Sequence, residues 1–230
     1  MTNTKILILL FTLFHGIIQS TYAQTIRKKY DYSNFDGSNV KINLILNGDF
    51  VQESNKNWYE VGRKTSNINT NYFNRIESLF IYNKDSLKFV YDMFDNFLSN
   101  VSDEYFINTV IRFVQTIPYK IPPADFNGKK TGGVFPPAIC LSEGYGDCDT
   151  KSLLLCCILG HKYQLIFLMG PKHAFVGVKI EPQENQEYVE INGEKFVLCE
   201  LTDKWDLGKL PVSSIDDINN GKYQYRVLNY

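Results

Sequence analysis

The tetrapeptide Gly146-Asp147-Cys148-Asp149 holds the residue best suited to chemistry in this chain. Two glycines, Gly144 and Gly146, lead a loop into the apolar run Cys148 to Leu159, which predicts a helix ending at Gly160. A cysteine in the first helical turn faces the positive end of the peptide dipoles and several unpaired backbone N–H groups. Both favour the thiolate, which is the nucleophilic form. The same N–H groups can hold the oxyanion of a tetrahedral intermediate. Asp147 and Asp149 act in the opposite sense, because a neighbouring negative charge disfavours another. The spacing therefore predicts a nucleophile that needs a cationic or basic partner. The alternative is a structural core cysteine, the commoner fate of a free thiol.

The partner must be an imidazole close in space rather than in sequence. His173 follows the turn Gly170-Pro171-Lys172 and opens a strand. On it His173, Phe175 and Gly177 share one face, and Ala174, Val176 and Val178 the other. His161 lies beyond the far end of the helix, roughly 18 Å from Cys148 at about 1.5 Å per residue. There it reads as a favourable cation at a helix C-terminus. His173 is the expected base. A third group normally orients the imidazole. Glu200 stands between apolar neighbours, Leu198 and Leu201, on a strand joined to its partner through Asn192-Gly193. A solvent-facing edge glutamate is the alternative reading.

These residues must be positioned by elements that the pattern also outlines. Val40 to Leu46 alternates and ends at Asn47-Gly48, which predicts a strand or hairpin; residues 52–71 are polar and predict a loop. Leu87, Val90, Phe94 and Leu98 repeat at helical spacing over residues 86–98. Ser102 suits the N-cap of a second helix carrying Phe106, Val110, Ile111, Phe113 and Val114 and stopping near Pro118. A proline-rich loop is expected from Tyr119 to Gly146. Beyond the cysteine helix come strands at 163–169 and 173–180. A hairpin follows, with 187–191 and 195–201 flanking Asn192-Gly193. The C-terminal region reads as polar apart from Leu207, Leu210 and Val212.

Four blocks together carry a resemblance. They are Phe113-Val114-Gln115-Thr116-Ile117-Pro118-Tyr119; Gly146-Asp147-Cys148-Asp149-Thr150-Lys151-Ser152-Leu153-Leu154-Leu155; His173-Ala174-Phe175-Val176-Gly177-Val178; and Cys199-Glu200-Leu201-Thr202 followed by Trp205-Asp206-Leu207-Gly208. In this order they resemble the transglutaminase-like cysteine-hydrolase superfamily, its bacterial and archaeal members above all, over residues 84–212. The resemblance implies an α+β, papain-like core with the cysteine helix packed on an antiparallel sheet that bears the histidine and the acid. It implies a catalytic triad of Cys148, His173 and Glu200, without a cofactor, acting on peptide or glutamine-type amides through a thioester. Glu200 departs from the family's commoner aspartate, and Asp203 and Asp206 are nearby substitutes. Water as acceptor makes such a site a protease or amidase; an amine makes it a transglutaminase. A catalytically inactive, peptide-binding relative is the alternative. Gln115 invites comparison with the oxyanion glutamine of papain-like enzymes, with a structural hydrogen bond as an equal alternative. Tyr145 is a candidate for lining the site.

The composition limits the rest. The formal net charge of −1 and the lack of a basic cluster argue against nucleic acid as partner, and a protein or peptide substrate is expected. No basic amphipathic stretch points to a membrane surface. Lys5, the apolar run from Ile6 to Phe14, and Thr21 and Ala23 have the layout of a secretory signal peptide over residues 1–23, with Gln24 as first mature residue. Export to a periplasm or outside the cell is therefore expected, with no membrane attachment after cleavage. An N-terminal segment over 24–80 and a catalytic domain over 81–230 are expected to follow. Five cysteines, an odd number, leave at least one thiol over; Cys140 and Cys199 are candidates to pair with Cys156 or Cys157. A closed zinc site is not expected.

Overall fold

The computed structural model describes residues 25–52, 54 and 72–228. The expected signal peptide and most of the expected loop at 52–71 lie outside the described residues. The described residues begin with an antiparallel hairpin, β1 (Ile26–Ser33) and β2 (Asn39–Leu46). Its turn lies at Asn34–Ser38, where Asn34 N–H donates to Ser38 O; Asn47-Gly48 instead leads into a short helical turn, α1 (residues 48–52). Four helices follow: α2 (Tyr72–Lys84), α3 (Lys88–Phe97), α4 (Asp103–Thr116) and α5 (Pro137–Glu143). A 3-10 turn, Asp85–Leu87, separates α2 from α3. Ser102 caps α4, its side chain accepting from Tyr105 N–H at 3.2 Å, as its residue type predicts.

The region expected as one long loop is more structured than its prolines suggest. It contains a two-residue hairpin, β3 (Asp125–Phe126) and β4 (Lys129–Lys130), and then α5. Pro137 sits at the first position of α5, where the missing N–H costs no hydrogen bond. Next comes α6 (Cys148–Leu159), with the bounds that the sequence predicts. Strands β5 (Leu165–Met169), β6 (Ala174–Lys179), β7 (Tyr188–Ile191) and β8 (Glu194–Cys199) build an antiparallel sheet. Asn192 and Gly193 both take positive φ in the β7–β8 turn, as a two-residue hairpin of this kind requires. Helix α7 (Val212–Asn219) and β9 (Gln224–Leu228) close the described chain, and the sheet order is β7-β8-β6-β5-β9. Neither α7 nor β9 follows from the sequence pattern, because α7 buries no residue fully and β9 is an edge strand. The architecture is α+β.

Helix α6 is the centre of the molecule. It contacts α2, α3, α4, α5, β5 and β6, and every residue from Thr150 to Leu159 is buried. A helix surrounded on all sides must be apolar on all sides, which is why its sequence lacks a polar face. Ala174, Val176 and Val178 of β6 join its core, while Phe175, Ile166 and Leu198 face the other side of the sheet toward Leu210, Ile215 and Ile218. The alternation along β6 thus separates two apolar layers. Gly177 is needed on the second face: a Cβ there would lie 2.6 Å from Ile166 Cγ1.

The N-terminal hairpin is not a separate unit. Tyr30, Val40, Ile42, Leu44 and Leu46 belong to the same core cluster as α4 and α6, and the expected boundary at residues 80/81 falls inside α2. All five cysteines are free and buried, so the candidate pairings of Cys140 and Cys199 are not formed. Among the described residues no helix is long and apolar enough to cross a membrane, and no group of three or more His, Cys, Asp or Glu is arranged to hold a metal ion.

Candidate active site

The head of α6 is fixed from both sides. Asp147 is its N-cap, with Oδ1 accepting from Thr150 N–H at 3.1 Å and the carbonyl accepting from Lys151 N–H at 2.9 Å. Gly146 N–H donates to Pro118 O and Gly146 O accepts from Lys120 N–H, stitching the cysteine loop to the chain that leaves α4. A Cβ on residue 146 would meet Thr150 Cγ2 at 2.7 Å, so this close approach requires glycine. Thr150 Oγ1 in turn accepts from Phe135 N–H.

Cys148 therefore has little freedom, and it is 9% exposed. The backbone N–H of Ala174, the residue directly after His173, lies within reach of its sulfur and favours the thiolate. That contact brings the start of β6 to the head of α6. Further along, Ser152 Oγ reaches Ala174 O at 3.5 Å.

His173 and Glu200 meet directly. Nε2 of His173 lies 2.7 Å from Glu200 Oε2. The other carboxylate oxygen, Oε1, accepts from Thr202 N–H at 2.7 Å and Thr202 Oγ1 at 2.6 Å. Glu200 is 2% exposed, which removes the solvent-facing alternative. Burial alone would raise its pKa, but the His173 and Thr202 hydrogen bonds outweigh it and hold the carboxyl below its ordinary range. Glu200 is thus an ionised acceptor for an N–H of the ring. The register explains the pairing: β6 and β8 run Val176↔Cys199, so His173 and Glu200 continue past the strands on the same face as Phe175 and Leu198. The substitutes are engaged elsewhere or outside: Asp206 pairs with Arg112, and Asp203 is exposed.

The thiol is not in the state that helix geometry alone favours. Burial, then the charge of Asp149 and its hydrogen bond, push Cys148 up to about 12, against the opposing effect of the Ala174 N–H. Sγ lies 3.3 Å from Asp149 Oδ1, and Tyr72 Oη donates to Asp149 Oδ2 at 2.5 Å. Burial, with Asp149 and to a lesser degree Asp147 adding to it, outweighs what favours the thiolate.

Several neighbours gave no signal in the sequence. Tyr119, 53% exposed, and Tyr223 both lie within electrostatic reach of Cys148 and of Glu200, which they bracket from the α4 exit and from the approach to β9. Tyr223 stacks on Phe175 at 5.4 Å, and Phe175 meets the His173 ring edge-on at 4.5 Å. Lys151 is buried, with Nζ donating to Gln115 O at 3.4 Å. Burial pushes it down to about 8, opposed by the charges of Cys140, Glu200 and Asp203. A lysine just ahead of the apolar run Leu153 to Leu159 is the one signal that was readable. Gln115 is a brace: its amide donates to Glu200 O at 2.9 Å and Trp205 O at 2.8 Å. Tyr145 packs on Phe135 and under Lys120 Nζ, outside this cluster.

His161 differs from its expected role. Its Nε2 pairs with Lys84 O at 2.9 Å and its ring lies against Tyr91. Burial lowers its pKa, so it is a poor cation for the helix end.

Comparison of the chain with protein-family models, with curated proteins and with solved structures returned no match.

Proposed function

We propose that this chain is an exported, transglutaminase-like cysteine hydrolase or acyltransferase with a papain-like core, acting on peptide or glutamine-type amides. One observation carries the reading: His173 is tied at 2.7 Å to the buried carboxylate of Glu200, and the residue after it, Ala174, lies against the first turns of the helix that Cys148 opens. The base and the orienting acid are paired directly, and the nucleophile is linked to them through the backbone of Ala174, next in sequence to His173. With Nε2–H donating to Glu200, the neutral ring keeps its lone pair on Nδ1, the nitrogen free to act as base.

In the proposed reaction Sγ attacks the amide carbonyl while its proton passes to His173 Nδ1. The carbonyl electron pair moves onto oxygen, which the N–H groups at the head of α6 receive. His173 then protonates the departing amine, the C–N bond breaks and a thioester remains on Cys148. Water or a second amine, deprotonated by His173, releases the acyl group and restores the thiol. Glu200 holds the ring tautomer and stabilises the imidazolium, as a buried acceptor at 2.7 Å can.

A second reading, a non-catalytic peptide-binding module, is favoured by one observation: the thiol is nearly covered, at 9% exposure. An acyl-transfer assay separates the two. The enzyme reading predicts that p-nitrophenyl acetate leaves an acetyl group on Cys148, seen by intact mass, that turns over in the wild type. Cys148→Ala should prevent the adduct, and His173→Ala should slow its formation. Absence of any adduct on the wild type, with tight binding of extended peptides, supports the module instead.

A further inference from the structure

We propose that Asp149 is a positioning residue that keeps the nucleophile as a neutral thiol until substrate arrives, with Tyr72 fixing the carboxylate in place. The proposal rests on Cys148 as nucleophile and adds how that nucleophile is held at rest. Its basis is a chain of three side chains. The Cys148 thiol faces Asp149 Oδ1 at 3.3 Å, and Tyr72 Oη donates to the other oxygen, Oδ2, at 2.5 Å. A carboxylate accepts only, so the proton between sulfur and Asp149 belongs to the sulfur. Tyr72 comes from α2, whose packing on α6 brings it there, and its ring lies 6.5 Å from Phe167 of β5. The carboxylate is therefore anchored by an element other than its own.

The other groups facing the sulfur leave this chain in control. Asp147, on the same helix head, adds negative charge but is turned to Thr150 as N-cap. Tyr119 and Tyr223 approach from two loops with their phenols protonated, each pKa raised first by burial. Glu200 is saturated by His173 and Thr202. Lys151 is directed to Gln115 O and sits within reach of Cys140 and Glu200. The Ala174 N–H is the opposing influence on the sulfur. Helix-end charge alone would account for an aspartate in the first turn. It does not account for a tyrosine from another helix pinning that aspartate against the thiol.

The consequence is an enzyme without a standing thiolate–imidazolium pair. Its sulfur loses its proton to His173 only as the C–S bond forms. At rest, such a thiol is a poor target for oxidants and disulfide exchange, which act on the thiolate.

The test is the pH profile of iodoacetamide alkylation on the full chain, followed by intact mass, with Cys148→Ala as blank. Cys140, Cys156, Cys157 and Cys199 are wholly buried in the native protein. The wild type should alkylate slowly at neutral pH, with an inflection above the ordinary thiol range. Asp149→Asn should move the inflection downward and speed alkylation at neutral pH about ten-fold, the change in thiolate fraction that one pKa unit produces. Asp149→Ser, which removes the charge with a smaller side chain, should do the same and covers any folding defect specific to asparagine. A wild-type profile already flat near neutrality overturns the proposal, as does an unchanged profile in both variants. His173→Ala separates the two levels of the account. If it leaves acyl-enzyme turnover intact, the proposed function fails, while the Asp149 profile still decides the clamp on its own.

Discussion

The two ends of α6 carry the same residue types and have opposite fates. At the head stands Cys148, with Ala174, the residue after His173, within reach of its sulfur; at the tail stand Cys156 and Cys157, with His161 just beyond. Every one of these cysteines is buried and free. What separates the ends is the partner of each imidazole. His173 bonds a buried, ionised carboxylate that can stabilise a ring gaining a proton. His161 bonds the neutral carbonyl of Lys84, and burial lowers its pKa, so nothing there rewards protonation. The lesson is that the acceptor behind a histidine, more than the distance to a cysteine, decides whether the pair can move a proton.

That contrast can be broken most severely by exchanging nucleophiles. Cys148→Ala should lower acyl turnover by about four to six orders of magnitude, as loss of a nucleophile does in comparable triads. Cys156→Ala and Cys157→Ala should leave kcat within a factor of a few and instead destabilise the fold by about 1–2 kcal/mol in urea unfolding. Comparable losses of activity at both ends would erase the distinction.

The acceptors give the next largest effect. Glu200→Gln keeps the shape but removes the charge, and should reduce kcat by about 10²–10⁴ with little change in KM. His161→Gln should leave kcat unchanged. Between these lies Gln115→Ala, which removes both hydrogen bonds that hold the Glu200 and Trp205 backbone. It should cost about 1–3 kcal/mol of stability and lower kcat without altering which residue is acylated.

The smallest effect is on stability against pH. The folded-state pKa of Glu200 is depressed, so its contribution is present above the ordinary carboxyl range and is lost as pH falls through the depressed value. Chemical denaturation from neutral to acidic pH should therefore show a downward slope that flattens in Glu200→Gln. An identical slope in both proteins would mean that the His173–Glu200 contact adds nothing to the fold.

The same contrast marks what was legible in the sequence. The head of α6 could be read because Gly146, Asp147 and Cys148 each have a local reason to stand where they do: close approach, cap and first turn. The strands on either side of Asn192-Gly193 were legible through turn chemistry. Glu200 stood out as a charge among apolar residues, and it is 2% exposed and bonded to His173. Tyr72, Tyr119 and Tyr223 were not legible, because each reaches the cysteine through tertiary packing from a distant segment. The state of the thiol was legible only in part, as an opposition between the helix dipole and the two flanking aspartates. The dipole is a property of the helix, whereas burial and the anchored Asp149 depend on α2 and the sheet around it. Helix α7 and β9 escaped because half-exposed elements lack a clear apolar period.

The most direct measurement of the central claim is a cross-link between sulfur and ring. Treated at alkaline pH with 1,3-dibromoacetone, a short reagent with two alkylating carbons, the protein should yield one bridged peptide pair joining Cys148 to His173. His173→Ala should leave Cys148 singly modified. A bridge from Cys148 to any other residue, or none at all while Cys148 is alkylated, would contradict the account.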